Sequence, residues 1–101
     1  MKKPRKPYTD SELLPMVHAA LAAGLMLLAR STQAIEHIVE HADEADLERQ
    51  VQEHAKRHFD AGIDMMVACH QVIETRQPPA LAESTREVLA EIEQEAKATL
   101  Q

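Results

Sequence analysis

With 101 residues the chain has room for one domain, and a monomer of this size buries only part of its apolar surface, so self-association would stabilise it. Aromatic residues are limited to Tyr8 and Phe59, and the absence of alternating β-branched runs argues against a sheet and predicts an all-α fold. The formal charge of −6 combines four positive charges in the first six residues with −10 on the remainder, which disfavours nucleic-acid binding by the body of the protein.

The chain begins with a short basic arm. Its four charges belong to Lys2, Lys3, Arg5 and Lys6, and the prolines between them prevent a helix. We expect residues 1–9 to form a disordered, solvated arm, with a contact to phosphates, an acidic partner or an anionic lipid surface as the alternative. Residues 10–101 are expected to form a single helical domain.

The first helix is predicted over residues 11–42. Thr9 and Glu12 have the spacing of a capping box at its start. Between Met16 and Ala29 the segment is apolar nearly all round, which implies burial on more than one side. Its richest apolar stripe predicts a self-association interface, formed by Leu14, Val17, Leu21, Leu25 and Leu28 and continued by Ile35 and Val39.

The same region resembles a secretory signal. A basic start precedes the apolar stretch, and the triplet at residues 32–34 has the character of a cleavage site. However, the apolar stripe keeps its helical phase through residue 34, which a cleaved signal has no reason to do. The stretch is also shorter than the roughly 20 apolar residues of a membrane span. We therefore expect a cytoplasmic protein without a membrane partner, and export with residues 1–34 as a signal peptide is the alternative.

Two further helices are predicted over residues 46–76 and 80–100. The acidic connection at residues 42–46 is short, so the first two helices should form a long antiparallel hairpin. The third helix is shorter and should leave part of the hairpin uncovered. The sequence therefore predicts that dimerisation completes a helical bundle.

Two histidines of the second helix, His54 and His58, fall within its predicted apolar stripe. A polar imidazole on a buried face needs a partner, and Glu36 of the first helix is expected at about the same level. Imidazoles one turn apart, with a carboxylate opposite, are ligands for Cu, Zn, Ni or Fe. His54, His58 and Glu36 are therefore a candidate metal site, although partnered core histidines explain the same pattern. By the same face assignment, His37 and His41 point away from the apolar stripe.

A second candidate cluster comes from counting residues outward from the turn. His18 falls level with His70, beside Cys69. Imidazole and thiolate ligands suit copper or zinc. Ordinary core packing of the cysteine is the alternative, and a single cysteine excludes an internal disulfide.

An arginine followed by a histidine occurs twice, as Arg49 with His54 and as Arg30 with His37. This spacing resembles the motif of the HEPN superfamily, which implies a small all-helical domain that cleaves RNA as a dimer. The chain departs from the family pattern after His54, where Ala55 and Lys56 replace the expected aromatic residue.

Taken together, these features predict a small self-associating helical protein with an interaction or regulatory role. It is expected to form a homodimer, to have a protein partner, and to need no cofactor or catalytic residue. A transition-metal-binding bundle for storage, sensing or redox work is the alternative function. A HEPN-like ribonuclease is the third.

Overall fold

A computed structural model describes residues 6–99, which form helices and no strand. The all-α class is confirmed. Helix α1 covers Asp10–His41, and a 3-10 turn at Glu44–Asp46 leads into the second helix. The second helix comprises α2 (Leu47–Gln50), a π turn (Val51–Ala55) and α3 (Lys56–Thr75) without a break, and α4 covers Glu83–Thr99. Three of the four basic residues of the predicted arm lie outside the described residues: Lys2, Lys3 and Arg5.

The start of α1 is joined to the end of α3. The predicted capping box is present, because the Thr9 hydroxyl accepts the Glu12 N–H and the Glu12 carboxylate accepts the Thr9 N–H. At the other side, Arg76 ends α3 in the left-handed conformation, with φ 55° and ψ 31°. Its carbonyl accepts the Tyr8 N–H at 2.9 Å, and its guanidinium lies 2.6 Å from Asp10. These contacts join the N-terminal end of α1 to the C-terminal end of α3, which are far apart in sequence.

Two glycines let α1 and the second helix approach closely. A Cβ on Gly62 would lie 2.9 Å from Leu28 Cγ and 3.2 Å from the Gly24 carbonyl oxygen. Further contacts join Val17 to Cys69 on one side of the glycines and Ser31 to Ala55 on the other. Later residues of α1 contact earlier residues of the second helix. The two helices therefore run in opposite directions where they cross.

Helix α4 covers one side of this helix pair. The buried core contains Leu27, Ala61, Met65 and Val88, with Leu81, Leu89 and Ile92 of the C-terminal segment packed against it. Two ion pairs flank this core, a two-bond pair between Arg57 and Glu91 at 2.7 Å and a single bond of 3.1 Å between Arg30 and Glu95. The Asp64 carboxylate accepts the Ala82 N–H at 3.0 Å, just before α4 begins. One side of the helix pair is thus closed by the chain itself.

The stripe of α1 that is predicted to form the self-association interface is distinct from the face that the chain buries. The buried residues of α1 are Gly24, Leu27, Ser31 and Ile38. At about 100° per residue, this face lies about 90° away from the stripe through Leu21 and Leu25. Small residues at the crossing permit close backbone contact, and that contact selected the buried face over the more apolar one.

Candidate functional site

A continuous apolar surface remains exposed on the side of the helix pair opposite α4. We call it the open face, and its exposed members are Leu14, Leu21, Leu25, Ile35 and Val39 of α1 with Phe59, Ile63 and Ile73 of α3. The exposed fraction reaches 71% for Leu14 and 56% for Leu25. Monomeric soluble proteins seldom expose a contiguous apolar patch of this kind without using it for binding.

The two helices contribute to the open face side by side. A groove of about 380 Å³ lies between Leu14 and Val17 of α1 and Ile73 of α3. A second groove of about 190 Å³ lies between Ile35 and Phe59 at the other end. Both grooves are lined almost wholly by apolar atoms, and Leu28 fills the space between them by packing on Gly62.

The five residues predicted for the interface all belong to this surface or its floor. Leu14, Leu21 and Leu25 are exposed, whereas Val17 and Leu28 are half-buried against the second helix. The predicted interface residues therefore lie on an exposed apolar surface.

The expectation that the apolar stretch is too short for a membrane span is wrong, because helix α1 is long and apolar enough, by length and composition alone, to cross a membrane. An 18-residue stretch within it has a mean hydropathy of 1.7, and only 11% of that stretch is buried. Core helices and N-terminal signal sequences have the same properties. The feature that bears on function is the low burial, because it shows how much of α1 the rest of residues 6–99 leaves uncovered.

The first candidate metal cluster is not buried, contrary to the prediction. The His54 side chain is 59% exposed, His58 is half-buried, and Glu36 is exposed. The π turn at Val51–Ala55 explains part of the difference, since its extra residue per turn rotates every preceding side chain relative to α3. Among residues 6–99, no three histidine, cysteine or acidic side chains are gathered as metal ligands.

The second candidate cluster is level across the helices but points in different directions. Cys69 is buried, and its Sγ lies 3.9 Å from the Val17 carbonyl oxygen. His18 and His70 are both exposed, and His70 Nε2 lies 3.0 Å from a Glu74 carboxylate oxygen. Cys69 therefore faces the backbone of α1 while the two imidazoles face solvent.

The arginines of the HEPN-like spacing are both engaged in ion pairs. Arg49 binds both carboxylate oxygens of Asp46 at 2.6 Å and one oxygen of Glu53 at 2.7 Å. The Arg49 hydrogen bonds lower the pKa of Asp46, and the two carboxylates raise the pKa of Arg49. Arg30 binds Glu95 of α4. Each guanidinium therefore stabilises the helical scaffold in this structure.

A histidine pair that sequence reasoning set aside is the most closely associated one. The rings of His37 and His41 stack with centroids 4.3 Å apart and planes at 28°. The i, i+4 spacing is the signal for this pair, but the sequence-based face assignment places both residues on the solvent side, away from His54. In the structure, His54 lines the same recess as His37.

Comparison of the chain with protein-family models, curated proteins and solved structures gives no match.

Proposed function

We propose that this protein is a small helical interaction protein that self-associates through the open face and acts by binding a protein partner. Two copies apply their open faces to each other about a two-fold axis, and the two long antiparallel hairpins then form a four-helix core. The proposed role is non-catalytic and regulatory. The large share of apolar residues on the open face supports it.

The open face is the observation that carries this proposal. It extends from Leu14 to Val39 along α1, which is roughly 37 Å at 1.5 Å per residue. Its two grooves would receive apolar side chains from a second copy. An isologous pairing needs no second kind of surface, because each copy supplies the same patch.

Charge favours a protein partner over nucleic acid for the remaining surface. Outside the first six residues the chain carries 7 basic and 17 acidic residues, a charge of −10. Such a surface repels a phosphate backbone, whereas it attracts a basic protein patch.

Sedimentation velocity of charge variants tests the proposal. Leu21→Glu with Leu25→Glu places two carboxylates in the centre of the open face, so we expect the wild-type dimer to become a monomer of unchanged helicity. Ala22→Glu with Gln33→Glu is the matched control, since both residues are exposed on the outer side of the same helix. The control should remain a dimer.

Two outcomes would contradict the proposal. One is a wild-type chain that sediments as a monomer over a wide concentration range. The other is a wild-type chain that co-sediments with lipid vesicles in place of dimerising, which would make the open face a membrane-binding surface.

A further inference from the structure

A recess lined by histidines lies at the end of the molecule near the turn between α1 and the second helix. His37 and His54 line a cavity of about 300 Å³, together with Ile38 and Gln50. His37 and His41 line an adjoining cavity of about 110 Å³, and Gln50 borders this one too. Imidazoles from two helices therefore line one concave region.

The orientation of His41 is fixed by the backbone. Its Nδ1 lies 2.9 Å from the His37 carbonyl oxygen. A carbonyl oxygen only accepts hydrogen bonds, so Nδ1 carries the hydrogen and donates it. The neutral ring then keeps its lone pair on Nε2. Metal-binding histidines are held in this way, with one ring nitrogen donating to a carbonyl and the other free to coordinate.

We propose that His37 and His41 bind a divalent transition-metal cation, each through one imidazole nitrogen, with water in the remaining coordination positions. The i, i+4 spacing brings both rings to one side of α1 with their centroids 4.3 Å apart, and a turn of the exposed His37 ring out of the stack points one of its nitrogens at an ion held by His41 Nε2. Imidazole favours Ni²⁺, Cu²⁺ and Zn²⁺ over hard cations such as Mg²⁺. The proposed site has two protein ligands. No group of three histidine, cysteine or acidic side chains is gathered as metal ligands within residues 6–99.

This site is separate from the open face. At about 100° per residue, His37 and His41 project from α1 roughly opposite Val39, so dimerisation through the open face leaves them exposed. Metal binding and self-association can therefore be disrupted independently.

Isothermal titration of Ni²⁺ into untagged, metal-free protein tests the proposal. We expect one bound ion per chain and no binding of Mg²⁺. His37→Ala and His41→Ala should each weaken Ni²⁺ binding at least tenfold, with unchanged helicity because both side chains are exposed. Bound Ni²⁺ should also raise the thermal midpoint of the wild type, and this rise should disappear in both variants.

Two control variants separate this site from the other histidine clusters. His58 has the same i, i+4 relation to His54 and the same Nδ1 contact to a carbonyl oxygen, at 3.2 Å, but no stacked partner among the described residues. We expect His58→Ala and His18→Ala to bind Ni²⁺ within twofold of the wild type. Loss of binding in either control, or equal binding in the wild type and the His37→Ala variant, would overturn the proposal.

Discussion

The two sides of the α1 and α3 pair are both apolar, yet only one is covered. On the side facing α4, Leu27 is fully buried and Met65 nearly so, whereas on the open face Leu25 remains 56% exposed and Phe59 49%. The two sides differ in their borders as well as in their cover. Arg30 and Arg57 mark the edges of the covered side by binding α4, and Asp64 does so by accepting the Ala82 N–H just before α4 begins. Both sides are apolar enough to be buried. The side that α4 covers is the one bordered by charged residues that bind α4.

The largest expected contrast is between neighbouring leucines. Leu27→Ala should lower the free energy of unfolding by about 2–5 kcal/mol, since it leaves a cavity in the closed core. Leu25→Ala should change the free energy of unfolding of the monomer by less than about 1 kcal/mol, because its side chain already contacts water. Urea denaturation at low protein concentration measures both. Equal losses would mean that Leu25 is buried within the monomer.

Helix contact at the two glycines should be the next most sensitive feature. Gly62→Ala places a Cβ 2.9 Å from Leu28 Cγ, so we expect a loss of about 1–3 kcal/mol despite the gain in helix propensity. Gly24→Ala places its Cβ 3.1 Å from the flexible end of Met66, and the loss should be smaller. Thermal unfolding of the two variants ranks them. A Gly62→Ala protein more stable than wild type would show that the helices are farther apart.

The buried hydroxyl of Ser31 should have a smaller effect. It donates to the Ala55 carbonyl at 2.8 Å, where the π turn meets α3. We expect Ser31→Ala to cost about 1 kcal/mol of unfolding free energy. Thr32→Ala is the control, because its hydroxyl bonds to Leu28 within the same helix and is exposed. Urea midpoints that fall equally in both variants would argue against a special role for the contact at Ala55.

The smallest effect concerns the ion pair that fastens α4. The Arg57 guanidinium lowers the pKa of Glu91 below its ordinary 4.5. Its contribution to stability is therefore complete above that value and is lost as pH falls through the lowered pKa. Glu91→Gln should unfold at slightly less urea than wild type at pH 7, and the difference should shrink at pH 3. A difference that persists at pH 3 would assign the effect to packing.

Features fixed by local sequence could be predicted. The helical class, helix bounds within a few residues and the Thr9 capping box follow from propensity, periodicity and spacing. The buried face of α1 could not, because the segment is apolar nearly all round and the choice depends on how closely Gly24 and Gly62 bring the backbones together. The π turn at Val51–Ala55 has no recognisable sequence signal. It changes the direction of the His54 side chain from the one that a regular α-helix predicts.

Histidine positions show the same division between local and long-range information. The i, i+4 relation of His37 and His41 is visible in the sequence and places them on one side of α1, but the same relation between His54 and His58 produces no stacking among the described residues. The proximity of His37 to His54 depends on the packing of α1 against the π turn, which spacing alone does not give. The role of Asp64 at the start of α4 is likewise a tertiary contact between residues eighteen apart.

Hydroxyl-radical footprinting of the wild-type protein over a concentration series tests the central claim most directly. We predict that Leu21, Leu25 and Phe59 become protected as concentration rises and the mass doubles from the 11.3 kDa of one chain. Met26 is the internal control, since it is exposed on α1 away from the open face and should keep its reactivity. If the open-face residues stay reactive at every concentration while the mass remains that of one chain, the open face is not a self-association surface.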